Sequence, residues 1–320
     1  MDNTNMDTFE EEKIVLHRVK FGILLILEIP SIILSLLFLI FFLTHRTVLR
    51  VRQNQGLILL LFVNFIQVTF DLPMVVHFNR LGHVSPATPA YCTWWTFIEY
   101  TLDGISEMLM ATISIQRHIF IFRAHMFNNR LYRYLLHHAP LLLCIVYPIS
   151  FYLTVIVFSS CDGTQWDYNS NLCGFANCYI IYNKILATYD FSMDNGFPIV
   201  IIILANVTLL IRVIRQKLRR RGIVSWKKQR RMTVQLLSIS LLYFIAWFPN
   251  ILIGLIQQLL IPTFLIGIQF DYIFDLLYLI CLLLPWICLG LFPEFTRWIR
   301  KLLFHRNAAH NIVRPRNNLS

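Results

Sequence analysis

Glu99, Asp103 and Glu107 recur every four residues within "WTFIEYTLDGISEMLMATISI", a stretch otherwise made of apolar and small polar residues. Four residues along a helix is one turn plus about 40°, so the three carboxyls share one face. Acids this close in apolar surroundings are not expected to be all charged. They can hold a cation, pass a proton along a relay, or hydrogen-bond to neighbouring helices, and each use places them toward a protein interior or a wet cavity. Asp71 beside Pro73, Asp275, and the aromatic residues Trp94, Trp95 and Trp166 are weaker candidates for the same cavity. A second chemistry-bearing group is Arg117, which ends the apolar stretch without a carboxylate before it. A third is the set Cys92, Cys161, Cys173 and Cys178, which allows two disulfides in three possible pairings. The histidines, His137 and His138 among them, show no metal-ligand spacing with paired cysteines, and neither a phosphate-binding glycine loop nor a nucleophile elbow is present. No enzyme, metal or cofactor is expected.

The elements that must position these groups are long apolar helices. The chain has 320 residues, 57% of them hydrophobic and 14% charged, with a mean hydropathy of +0.61, which is too apolar for a soluble domain of this length. Seven runs are long enough to span a bilayer: Phe21–Leu43, Gly56–Phe78, Thr93–Ile115, Leu135–Phe158, Phe191–Ile214, Val234–Gln257 and Ile268–Phe292. The net charge of +11 comes from short basic clusters between the runs, which argues against nucleic acid as a partner.

Orientation follows from those clusters. If the amino terminus is outside, the outer segments hold only Lys13, Arg18, Lys20, Arg80 and Lys184 of the 28 lysines and arginines, a strong positive-inside bias. The same choice places Cys92, Cys161, Cys173 and Cys178 on the oxidising side, while Cys144, Cys281 and Cys288 lie inside apolar runs. About 37 Å of helix would separate Cys92 from Arg117, so Arg117 marks the cytoplasmic mouth of the third helix.

Seven helices, an outside amino terminus and this Cys-to-Arg spacing together resemble the rhodopsin-like (class A) G-protein-coupled receptors over nearly the whole chain, which would be a divergent member. The family's acid-Arg-Tyr triplet corresponds to Gln116-Arg117-His118, and "FIAWFP" is similar to its sixth-helix Cys-Trp-x-Pro segment, with Trp247 and Pro249 kept. In the seventh helix "LLPWIC" keeps only Pro285, and Asn64 stands where the family has a sodium-binding aspartate. The resemblance implies a disulfide from the third helix to the second outer loop. The interval from Cys178 to Pro198 suits the family's spacing and favours Cys92–Cys178, leaving Cys161–Cys173. It also implies that Glu99 takes the position where amine receptors keep an acid, with Tyr278 facing it from the seventh helix.

The expected architecture is therefore an all-α membrane protein with an extracellular segment 1–20, a seven-transmembrane helix bundle over 21–292, a short amphipathic eighth helix over 293–304 and a cytoplasmic tail over 305–320. Glu99, Asp103, Tyr278 and Trp247 are the expected ligand contacts, with a cationic amine or peptide favoured. Gln116, Arg117, His118, Pro249 and Pro285 are the expected coupling and switch residues, serving a heterotrimeric G protein. The basic stretch from Arg212 to Arg231 would also meet anionic inner-leaflet lipids of the plasma membrane. The alternative is a proton- or ion-coupled transporter using the third-helix carboxylates. Without the usual acid at Gln116, raised basal signalling is expected.

Overall fold

A computed structural model describes residues 3–49, 51–122, 129–159, 163–175, 177–219, 224–261 and 263–312. It forms an antiparallel bundle of long helices: α1 (Asn3–Thr44), α2 (Asn54–Leu81), α3 (Pro89–Phe122), α4 (Arg130–Val157), α5 (Lys184–Arg212), α6 (Val224–Leu259) and α7 (Ile266–Gly290). A further helix, α8 (Pro293–Ile312), follows. Six of these meet the length and apolarity of a membrane span. The seventh, α3, has the length but carries Glu99, Asp103, Glu107 and Arg117. It can do so because it packs against α2, α4 and α5 in the middle of the bundle.

Burial is arranged for a lipid surround. Ile26, Ile29 and Ile33 of α1 are exposed, whereas Phe38, Phe41 and Phe42 on its other face are buried. Phe295 of α8 is fully buried and stacks on Phe38 with ring centroids 3.7 Å apart, which seats the start of α8 against α1.

Three of the spans contain a wide π-helical turn that ends two residues before a proline. These are Gln67–Asp71 before Pro73, Tyr134–His138 before Pro140 and Asp190–Gly196 before Pro198. Proline has no N–H and its ring crowds the carbonyl one turn back, so the preceding turn cannot close as an α-helix. In each case the residue just before the proline donates to the carbonyl five residues back: Leu72 to Gln67, Ala139 to Tyr134 and Phe197 to Ser192. Two more such turns, Leu153–Val157 and Gln269–Ile273, lack a following proline. Four of the five turn polar side chains inward: Gln67 and Asp71, His137, then Asp190, Asp194 and Asn195, then Gln269.

The disulfide differs from the expected Cys92–Cys178 and Cys161–Cys173. Cys92 is bonded to Cys173, with the Cα atoms 5.8 Å apart. Leu172, Cys173 and Gly174 all take left-handed backbone conformations, which fold the loop down onto the top of α3 and bury Leu172 and Cys173 completely. Cys178 instead opens a short helix, Cys178–Tyr182, that takes up the interval before α5. Cys178 is itself disulfide-bonded, and Cys161 lies outside the described residues. Residues 220–223 of the basic stretch from Arg212 to Arg231 and the tail beyond 312 also lie outside what is described.

Candidate functional site

A cavity of about 360 Å³ lies between α3, α5, α6 and α7 on the disulfide side of Trp247. Glu99 and Asp103 line it from α3, Asp190 and Asn195 from the wide turn of α5, and Trp247 and Asn250 from α6. Its volume falls in the range that takes a small organic molecule. Three of its wall residues are carboxylic acids and none is lysine, arginine or histidine.

Each acid has its own setting. Glu99, 3% exposed, stands against Asp71, the Tyr278 hydroxyl and the Trp95 indole. Oε2 of Glu99 and both oxygens of Asp71 nevertheless lack a partner in hydrogen-bonding geometry. Asp103 accepts a 2.6 Å bond from the Gln67 amide in the wide turn of α2. Asp190 accepts from the Tyr152 hydroxyl at 2.8 Å, the Tyr179 hydroxyl at 2.9 Å and the Asn195 amide at 3.5 Å. Asp194 accepts from Tyr147 at 2.7 Å. Glu107 is fully buried with both oxygens unpartnered and faces Asp103, Asp190 and Asp194. Of the residues expected at the ligand, Glu99, Asp103 and Trp247 line the cavity. Tyr278 lies behind Glu99, buried, with its hydroxyl 3.4 Å from the Asn171 amide.

Asp190 was missed because the fifth apolar run was started at Phe191, and Asp194 and Asn195 were passed over at the start of that run. The helix begins at Lys184, and the available signal was a pair of acids four residues apart just ahead of Pro198. An amide chain on the opposite wall was also missed. Gln257 donates to Gln269 at 2.6 Å and Gln269 to Asn250 at 2.9 Å, tying α6 to α7.

At the other end of α3, Arg117 is 5% exposed, and its Nε and Nη1 have no hydrogen-bond partner. The ion pair Lys20–Asp275, 2.7 Å, lies far from it along the chain. Gln116 turns to α4, where its amide donates to the carbonyls of Leu136 at 3.2 Å and His137 at 3.1 Å while its oxygen meets His137 Nδ1 at 3.1 Å. His118 is half-buried beside Arg212. Between the two ends, the Asn206 amide donates to Ser114 of α3 at 3.2 Å and Ser240 of α6 at 2.8 Å. Asn64, in α2, donates to the Cys281 carbonyl at 3.0 Å. Pro249 and Pro285 lie inside otherwise continuous helices.

The described residues thus form a polytopic helical bundle with an acid-lined cavity near one end and, at the other, a buried arginine whose Nε and Nη1 have no partner. The chain matches the 7 transmembrane receptor (rhodopsin family) over residues 23–288 and belongs to that family. Members are signalling receptors, which does not favour the transporter alternative. No individual curated protein matches the chain.

Proposed function

We propose that this receptor binds a small cationic ligand in the acid-lined cavity and signals to a heterotrimeric G protein from the Arg117 end. The observation that carries the ligand half is the wall itself, with Glu99, Asp103 and Asp190 buried and no basic side chain among them. Ionisable groups at membrane depth are costly unless a partner or water offsets them. An arriving ammonium or guanidinium is such a partner. An anionic ligand would meet only like charge.

Signalling would pass from Trp247, at the cavity, along α6 past Pro249. The Asn206 clasp to Ser114 and Ser240 links α6 to α3 on the way to Arg117. Arg117, with Nε and Nη1 unpartnered, is set to receive a group from the G protein once α6 moves. Glu99 and Asp103 serve as counter-ions in this reading, and Gln116 and His118 flank the coupling surface.

The test is ligand-free second-messenger output in cells expressing the chain, beside Arg117→Ala at matched surface level. A clear fall with the variant is expected. Equal output above background from both proteins would refute coupling through the end of α3.

A further inference from the structure

The cavity has two acidic poles, and they belong to different helices. Glu99 stands on the side of α2 and α7, where Asp71 and Tyr278 back it. Asp190 stands on the side of α4 and the Cys178–Tyr182 helix, whose Tyr152 and Tyr179 hydroxyls it accepts. Tyr100 lies between and feels both. Both carboxyls line the same chamber.

The second pole is constructed rather than incidental. Asp190 sits in the π turn that Pro198 enforces, is 5% exposed, and is held by two tyrosine hydroxyls and an amide. Asp194, one turn further on, keeps Oδ2 buried without a partner, and Glu107 faces both of them. Among the described residues no lysine or arginine is salt-bridged to any of these acids. One positive charge at Glu99 makes no use of the Asp190 pole, whose carboxylate form would be favoured by a second cation beside it. Two charges on one molecule serve both.

We propose that the ligand is a dication, a molecule carrying two amine or guanidine groups, with one held at Glu99 and the other at Asp190. This rests on the reading of the chamber as a cation site and adds a second contact to it. The polar wall formed by Asn250, Gln257 and Gln269 completes the selection, since it offers amide groups and no cation to a ligand's uncharged polar atoms.

The experiment uses the full-length receptor in cells, with n-alkylamines from propylamine to octylamine set against the corresponding terminal diamines, and second-messenger output as the readout. A diamine of one preferred length is expected to act at a concentration about tenfold or more below its monoamine. Asp190→Asn should remove that advantage, and surface labelling of an amino-terminal epitope on the variant shows whether it folds and reaches the membrane. Glu99→Gln should weaken both series. A potency that rises steadily with chain length in both series, with no diamine advantage, overturns the two-pole proposal and leaves the single-cation site standing. A receptor indifferent to every amine overturns the cation reading and the proposal together. The length optimum in the unaltered receptor decides the matter even if Asp190→Asn fails to reach the surface.

Discussion

Gln116 occupies the place where a carboxylate would pair with Arg117, and it spends its hydrogen bonds elsewhere. Its amide group bridges to Leu136 and His137 at the start of α4, and the far nitrogen of His137 meets Gln55 Oε1 at 2.7 Å. The residue therefore fastens α3 to α4 and α2 but contributes nothing to holding Arg117. A buried arginine without a carboxylate has lost the interaction that would resist its release. Replacing Gln116 with Asp should supply that acid and lower ligand-free output several-fold at equal surface level. An unchanged output, in an assay where Arg117→Ala does register, would show that the missing acid has no bearing on the resting state.

At the scale of helices, the wide turns decide which polar residues look inward. Removing one residue's worth of extra winding from a helix rotates everything beyond it by about 100°. Pro198→Ala restores the missing donor, so the 190–196 segment should close toward a regular helix and carry Asp190 away from Tyr152. The hydroxyl bond itself is modest, since interhelical hydrogen bonds in membrane proteins average about 0.6 and reach about 1.7 kcal/mol. Tyr152→Phe should cost an amount in that range in the unaltered helix and close to nothing when Pro198→Ala is already present. Thermal unfolding of the purified protein in detergent gives both numbers. Additive losses would mean that the turn does not depend on its proline.

These turns also mark where the sequence was legible and where it was not. All seven spans could be located, because runs of apolar residues report the lipid environment directly, and the third-helix acids stood out against theirs. Glu99 and Asp103 were found for that reason. Asp190 was not, because it precedes the apolar run and enters the bundle only through a turn whose width depends on tertiary packing. The disulfide was misread on the same ground: the left-handed run at Leu172, Cys173 and Gly174 redirects the loop, and spacing along the chain carries no trace of it. Gly254 shows how close the neighbouring elements come, since a Cβ there would lie 2.6 Å from the Phe191 ring of the α5 turn.

For the whole molecule the open choice is which end faces out. The disulfide end carries Cys92–Cys173 and the bonded Cys178, and disulfides of this kind persist on the oxidising side of a membrane. The acid-lined cavity lies toward that same end. The Arg117 end adjoins the segments where basic residues concentrate, from Arg212 to Arg231 and from Arg297 onward, and such residues are retained on the cytoplasmic side. These are separate physical constraints, one from redox chemistry and one from charge during insertion, and both favour an outside amino terminus. Because the chain crosses seven times, its two ends must lie on opposite sides. An epitope at the amino terminus should therefore bind antibody on intact cells, while one placed after Phe304 should bind only after permeabilisation. Labelling of the second epitope on intact cells would invert the bundle, put the chamber on the cytoplasmic side and remove the basis for an extracellular ligand.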